Sequence, residues 1–140
     1  MALTLHDIKV WNTGEVIDLI VPADTDETVD ASAMTIAPGF EDPHVHFRDP
    51  GQTYKESMVS GCAAAASGGY TNVLIMPNTV PAMDGVKVRA GQQGASEVLD
   101  AGYDTVIDYL QHYEAAHDVK LPVRYDLCVC ASKGLSLIHI

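Results

Sequence analysis

The sequence predicts an α/β protein in which a short all-β segment is followed by a parallel sheet. Three observations lead to this prediction. Short apolar clusters separated by turn residues fill residues 1–37, and strand-like and helix-like stretches alternate after residue 38. Residues 71–76 (TNVLIM) form a nearly continuous β-branched and apolar run, which is typical of a strand buried on both faces.

Residues 1–37 predict a few short antiparallel strands. Apolar clusters lie at residues 8–10, 16–21 and 34–36, and they are separated by Asn-Thr-Gly at 12–14 and by an acidic run at 23–27. Turn residues between short apolar runs are typical of strands joined by tight connections.

From residue 38 onward the pattern predicts three βα units. Residues 40–47 form the first predicted strand, and Thr-Tyr-Lys-Glu at 53–56 matches a capping box that would open a helix running to about Ser67. After the strand at 71–76, a second helical region is interrupted by three glycines and is best defined at 104–116. Residues 123–131 are the third predicted strand, with Val123, Tyr125, Leu127 and Val129 on one face.

Polar side chains cluster where the first two predicted strands end. His44, His46 and Arg48 close the first strand, and Asn78 follows the second. Parallel sheets carry their functional residues at the carboxyl ends of their strands. We therefore expect the functional site at this edge of the sheet.

The spacing of the two histidines predicts a partial metal site. On a strand, positions i and i+2 place side chains on one face with Cα atoms about 6.6 Å apart, so both imidazoles could bind one divalent ion. A catalytic metal needs further ligands from elsewhere in the protein. Asp42 on the same face could support an imidazole or contact the metal, Arg48 could bind a substrate carboxylate, and Asn78 could add a donor beside it.

The other candidate ligands have simpler interpretations. His112 and His117 are five residues apart on a predicted helix, so we interpret both as surface residues. Cys62, Cys128 and Cys130 form no CxxC pair and are interpreted as buried free thiols in a reducing compartment. Lys133 is interpreted as an exposed loop lysine rather than a metal-bridging one.

Composition limits the partners. Eight Lys and Arg residues against 19 Asp and Glu give a formal net charge of −11, which disfavours nucleic acid and anionic membrane surfaces as partners. No targeting segment and no apolar run long enough to span a bilayer is present, so we expect a soluble cytoplasmic protein that acts on a small molecule.

Four stretches resemble one known family. APGFEDPHVHFRDPG at 37–51, YKE at 54–56, AAASGGYT at 64–71 and MPNT at 76–79 closely resemble dihydroorotases of the amidohydrolase superfamily, over about residues 37–85. Hydantoinases and allantoinases share the Pro-Gly turn and the HxH motif. They lack the combination of FRDPG with MPNT and rank second.

The resemblance implies a fold, a metal and a reaction. It implies the first three βα units of a (β/α)8 TIM-type barrel, preceded by strands of a small β-sandwich, and a centre of one or two Zn²⁺ ions whose ligands include His44 and His46. It assigns substrate-carboxylate binding to Arg48 and Asn78. The implied reaction interconverts N-carbamoyl-L-aspartate and dihydroorotate in pyrimidine biosynthesis, in a protein that could be a homo-oligomer at full length.

The resemblance also implies that this chain is partial. A complete barrel needs about 250 residues, and the family's bridging ligand and proton-shuttling aspartate belong to later strands, so no catalytic acid or base is expected in these 140 residues. We expect partial β-sandwich strands at 1–37, barrel units at 38–134 and a non-native tail at 135–140, in a truncated, inactive, aggregation-prone fragment. A non-catalytic dihydroorotase-like partner protein and a stand-alone binding module are the alternatives.

Overall fold

The computed structural model describes residues 1–131, and these divide into two compact units. The first unit is Met1–Pro38, and the second begins at Gly39. Lys133 and the predicted tail at 135–140 lie outside the described residues. Among the residues that are described, no helix has the length and apolar character needed to cross a membrane.

The first unit is a four-stranded sheet built around its first strand. Its strands are β1 (Ala2–Val10), β2 (Val16–Pro22), β3 (Glu27–Asp30) and β4 (Thr35–Ile36). Strand β2 pairs antiparallel with β1, whereas β3 and β4 pair parallel with it. The all-antiparallel prediction is therefore wrong for β3 and β4. The acidic connection carries the chain from β2 to the far side of β1, and a strand that reverses direction there runs parallel to β1.

The second unit is a three-stranded parallel sheet with helices in its connections. Strands β5 (Phe40–Val45), β6 (Tyr70–Ile75) and β7 (Arg124–Leu127) pair in that order. Helix α1 (Met58–Ser67) joins β5 to β6, and three short helices join β6 to β7: α2 (Ala95–Asp100), α3 (Val106–Gln111) and α4 (Tyr113–His117). The α/β class is confirmed, while membership of an eight-stranded barrel stays a prediction.

Helix α1 begins four residues later than the capping box at 53–56 predicts. Its N-cap is Ser57, whose hydroxyl accepts from the backbone N–H of Ser60, while the Ser60 hydroxyl accepts from the Ser57 N–H. Residues 53–56 belong instead to a loop closed by a hydrogen bond from the Arg48 N–H to the Glu56 carbonyl. Two serines thus form the reciprocal pair usually made by Ser or Thr with Glu or Gln.

Two strands are shorter than predicted. Strand β5 ends at Val45 rather than residue 47, with irregular register around Pro43, which has no N–H to donate to the ladder. Strand β7 ends at Leu127 rather than residue 131, because the Cys130 N–H donates to the Met83 carbonyl in the preceding connection. Val129 is 53% exposed and does not share the predicted apolar face.

The core of the second unit lies between the sheet and its helices. Phe47, just beyond β5, packs closely on α1, where a Cβ added to Gly61 would lie 2.4 Å from the Phe47 ring. The remaining buried apolar side chains come from β6, from all four helices and from their connections: Met58, Cys62, Val73, Ile75, Met83, Val88, Ala95, Val98, Val106, Tyr109, Leu110, Tyr113, Leu121 and Val123.

Candidate metal and substrate site

The carboxyl ends of β5 and β6 bring three of the predicted site residues together. His44 lies near the end of β5, His46 follows the strand, and Asn78 lies three residues beyond β6. Because β5 and β6 are parallel neighbours, their carboxyl ends meet at one edge of the sheet. Val45 pairs with Ile75 there, so the two connections leave the sheet side by side.

The two imidazoles converge. Their Nε2 atoms lie 3.2 Å apart, and the rings meet edge to face with centroids 4.9 Å apart. His44 is exposed and His46 is half-buried, so the pair opens to solvent on the His44 side. The imidazoles converge even though β5 ends at Val45 and His46 lies beyond it.

Asn78 sets the tautomer of His46. Its Oδ1 atom lies 2.8 Å from Nδ1 of His46. An amide oxygen can only accept a hydrogen bond, so Nδ1 of His46 carries a proton. In the neutral imidazole the lone pair is then on Nε2, the atom that faces His44. A ligand histidine is typically held in this way, by a hydrogen bond to its other ring nitrogen.

The separation of the two Nε2 atoms fits a shared metal ion. Two nitrogen ligands at usual zinc distances and tetrahedral angle lie about 3.3 Å apart, close to the 3.2 Å found here. Among residues 1–131, no third His, Cys, Asp or Glu joins the pair within 4.8 Å. The pair therefore fits part of a zinc site, and further ligands would have to come from outside this set.

Asp42 contacts the backbone rather than an imidazole. Its Oδ1 atom accepts from the backbone N–H of His44 at 3.0 Å. Short Asx side chains commonly bond an N–H two residues on. This contact uses one carboxylate oxygen, and a role of Asp42 beside an imidazole or a metal stays a prediction. Asp42 thus acts on the main chain that carries His44.

Arg48 lies in the loop after β5, not on the strand face with the histidines. Its backbone N–H donates to the Glu56 carbonyl at 3.1 Å, and its carbonyl accepts from the Gln52 N–H at 2.8 Å. The expectation that Arg48 closes the first strand together with the histidines is therefore wrong, and His46 also lies just beyond the last residue of the strand. The strand ends at Val45, and a turn carries the guanidinium.

Sequence reasoning missed the buried carboxylate of Asp49. It is 2% exposed and accepts from the Tyr113 hydroxyl at 2.9 Å, the Tyr109 hydroxyl at 3.4 Å and the Met58 backbone N–H at 3.3 Å. Burial raises the pKa of both tyrosines, and the neighbouring carboxylate raises them further. The tyrosines follow Asp49 by 60 and 64 residues, so no local pattern could have revealed the contact.

A second group of possible ligands lies in the first unit. His6, Asp7 and Asp18 place one donor atom each within 4.8 Å of one another, and all three residues are exposed. Nδ1 of His6 lies 2.8 Å from the Asp18 carboxylate, which also accepts from the Asp7 N–H. These contacts account for the cluster as a hydrogen-bonded surface group at an irregularity in the pairing of β1 with β2.

The remaining histidines and cysteines largely match their simpler interpretations. His112 and His117 are exposed, although His117 also lies 2.8 Å from the Tyr109 hydroxyl through Nε2. All three cysteines are free thiols, but the expected burial is found only for Cys62, whereas Cys128 and Cys130 are partly buried. Burial raises the pKa of Cys62 to about 11, with a further contribution from Glu114.

Comparison with known proteins gives one family. Residues 35–130 match the amidohydrolase family. Proteins named dihydroorotase are similar to the chain: one from Sulfurihydrogenibium sp. (strain YO3AOP1) is 60% identical over 62 residues, which are 44% of this chain and 15% of the relative. The dihydroorotase of Mycobacterium leprae is 37% identical over 125 residues, covering 76% of this chain and 29% of the relative.

The dihydroorotase of Lactococcus lactis is 36% identical over 118 residues, covering 76% of this chain and 28% of the relative. The chain thus spans less than a third of the length of these curated relatives. The family match covers more than half of the 140 residues and includes both histidines and Asn78. On these grounds, the chain belongs to the amidohydrolase family.

Proposed function

We propose that the protein is a zinc-dependent dihydroorotase, a cyclic amidohydrolase that interconverts N-carbamoyl-L-aspartate and dihydroorotate. One observation above all supports the proposal. At the end of β5 two imidazoles converge to 3.2 Å, and one of them is fixed by Asn78 in the tautomer that a ligand needs, in a segment similar to proteins named dihydroorotase.

In this proposal His44 and His46 hold one or two Zn²⁺ ions together with ligands from the rest of the protein. A bound zinc ion supplies a Lewis acid that polarises the amide carbonyl and activates water at neutral pH. Asn78 keeps Nε2 of His46 free to bind, and Asp42 fixes the backbone of His44. The chain's own contribution at this point is to orient two nitrogen donors before the metal binds.

Arg48 and Asn78 would bind the substrate carboxylate. A guanidinium presents paired donors that match a carboxylate, and it supplies the local positive charge that an acidic protein needs to hold an anion. Oδ1 of Asn78 accepts from His46, and its Nδ2, the donor of the amide, would donate to the substrate. Both residues orient the reacting amide, and orientation accounts for much of the rate of such ring closures.

The proposal also covers location and partners. A step of pyrimidine biosynthesis places the protein in the cytoplasm, with a small-molecule substrate and with neither nucleic acid nor membrane as partner. The net charge of −11 agrees with that choice. The proposal allows a homo-oligomer of the whole protein, and a measurement of its molecular mass in solution tests this.

The test uses the whole protein, expressed from the complete reading frame in its source DNA and supplied with zinc. Cyclisation of N-carbamoyl-L-aspartate is expected, with loss of zinc and of at least about 100-fold in kcat/KM for His44→Ala. His112→Ala is the matched control, since His112 is exposed and distant in sequence from the site. Turnover of hydantoin or allantoin instead would assign a related cyclic amidohydrolase, and zinc-free, inactive protein would favour the non-catalytic partner.

A further inference from the structure

The loop that carries Arg48 is anchored by the buried carboxylate of Asp49. Asp49 follows Arg48 directly and is 2% exposed, whereas the Arg48 backbone is held mainly by the loop's own hydrogen bonds. Burying a carboxylate is unfavourable unless donors satisfy it. Here three donors do so: the hydroxyls of Tyr109 on α3 and Tyr113 on α4, and the first N–H of α1, from Met58.

Three donors arriving from three helices fix the orientation of this carboxylate. An apolar side chain at position 49 would fill the space without preferring one orientation, whereas hydrogen bonds are directional. The backbone on either side of Asp49 is therefore tied to α1, α3 and α4. Tyr109 also contacts the exposed His117 at 2.8 Å, so the hydrogen-bonded group extends from the core to the surface.

The same loop is joined to the connection that carries Asn78. The Val80 N–H donates to the Pro50 carbonyl at 3.2 Å, and a Cβ added to Gly51 would lie 1.8 Å from the Val80 carbonyl oxygen. From the other side, Glu97 on α2 accepts from the Gly51 N–H at 3.0 Å. Movement of the Arg48 loop would therefore disturb the connection two residues beyond Asn78.

We propose that Asp49, held by Tyr109 and Tyr113, is a positioning residue that fixes the Arg48 loop against the Asn78 connection, so that both side chains meet the acid group of the substrate. This inference rests on the proposed function for the identity of the substrate. The anchor itself acts on the loop whether or not substrate is present.

The kinetic test compares Asp49→Asn with the wild type in the zinc-loaded whole protein. Asparagine keeps the shape but loses the charge and one acceptor, so we expect KM for carbamoyl aspartate to rise at least about 10-fold, while kcat changes less than about threefold and zinc content stays the same. In an Arg48→Ala background the same change should alter KM less than about twofold, because residues that act through one another are not additive.

Two further variants keep the test informative if Asp49→Asn folds poorly. Tyr113→Phe removes one donor and leaves the carboxylate, and it should raise KM in the same direction by a smaller factor. Tyr125→Phe is the matched control: this tyrosine is also partly buried, but its hydroxyl donates to the Leu110 carbonyl, so KM should not change. Unchanged KM in Tyr113→Phe, or equal effects of Asp49→Asn in both Arg48 backgrounds, would overturn the inference.

A measurement without substrate separates this inference from the proposed function. Hydrogen exchange of the Arg48 and Gly51 amides should be faster in Asp49→Asn and Tyr113→Phe than in the wild type and Tyr125→Phe. If the wild type fails to turn over carbamoyl aspartate but exchange changes in this way, the anchor stands and only the substrate assignment fails. If exchange at both amides is unchanged, the anchor is rejected whatever the activity.

Discussion

Asn78 links the two candidate roles of the site at the scale of a single side chain. Its oxygen accepts from His46, and in the proposed function its nitrogen would donate to the substrate, so one amide would serve both the histidine and the reacting molecule. A second-sphere partner of this kind affects metal affinity without touching the metal. Substitution of Asn78 should therefore weaken metal binding more than it lowers the stability of the fold.

Replacing Asn78 by alanine should weaken zinc binding by the whole protein about 10- to 100-fold, the usual effect of removing the partner of a ligand histidine. Competition with a chromophoric chelator measures the change. Asn72→Ala is the matched control, since Asn72 lies on β6 and bonds Asp126 rather than a histidine. Equal zinc affinity in Asn78→Ala and wild type would show that the contact with His46 does not support a metal ligand.

Cys62 offers a prediction about reactivity. It is fully buried, and burial raises its pKa from 9.0 to about 11, so the reactive thiolate fraction at pH 8 is lower by on the order of 100-fold. We expect disulfide reagents to modify the partly buried Cys128 well before Cys62 in the folded protein. Mass spectrometry of the labelled peptides measures this order, and urea should abolish the difference. Rapid labelling of Cys62 in native protein would contradict its place in the core.

Local patterns predicted the pair of converging histidines but not the contacts around it. Asn78 could be found because it follows an apolar run that predicts a strand, and His44 and His46 because they alternate with apolar residues at the end of a predicted strand. Parallel strands bring such ends together. The contacts of Asp49 could not be found, since its partners are brought in by packing of α3 and α4. Asp42 was assigned to the site, and its contact is with the His44 backbone, because a side chain two residues from an N–H bonds locally.

At the scale of elements, the packing of α1 requires a glycine, which has no side chain, at one interior position. Gly61 lies inside the helix and faces Phe47, the residue between His46 and Arg48. Helices usually gain about 1 kcal/mol when an interior glycine becomes alanine. Here the new Cβ would lie 2.4 Å from the Phe47 ring, so close packing outweighs helix propensity.

Gly61→Ala should therefore lower the free energy of unfolding by up to about 2 kcal/mol, because overpacking costs about 1–3 kcal/mol and the gain in helix propensity returns about 1 kcal/mol. Urea unfolding followed by circular dichroism measures it. Pairing the change with Phe47→Leu makes room for the methyl group, so the double variant should lose less than the sum of the two single variants. A Gly61→Ala variant that is more stable than wild type would mean that α1 does not pack on Phe47 as described.

The boundaries of elements were predictable only where local chemistry decides them. Gly68 ends α1 at the predicted place, and the apolar run of β6 is found within one residue. The predicted helix start was wrong because Thr53 and Glu56 match a standard capping box. The capping box that the structure contains is formed by Ser57 and Ser60. The end of β7 depends on a backbone contact with Met83, which no local pattern contains.

At the scale of the molecule, three tyrosines make the stability of the second unit depend on pH. Burial raises the pKa of Tyr109, Tyr113 and Tyr125, the last to about 12, with Asp49 contributing at the first two and Glu114 at the third. Each hydroxyl also donates a hydrogen bond that requires its proton: to Asp49 for the first two and to the Leu110 carbonyl for Tyr125. The folded state therefore favours the neutral phenols.

Stability should consequently fall in alkaline solution. Unfolded tyrosines titrate near pH 10, and the folded ones keep their protons to higher pH, so the unfolded state binds fewer protons above about pH 10. The contribution of each tyrosine to stability is complete below that pH and is lost as pH rises through the pKa of the folded state, at up to about 1.4 kcal/mol per pH unit for each tyrosine.

Urea unfolding between pH 8 and 11.5, with phenolate absorbance as a second signal, measures this loss of stability. Tyr113→Phe should flatten the slope, whereas Tyr54→Phe, at a side chain that is 79% exposed, should leave it unchanged. A wild-type stability that is flat to pH 11.5 would contradict the burial of these hydroxyls and, with it, the donors that the structure gives to Asp49.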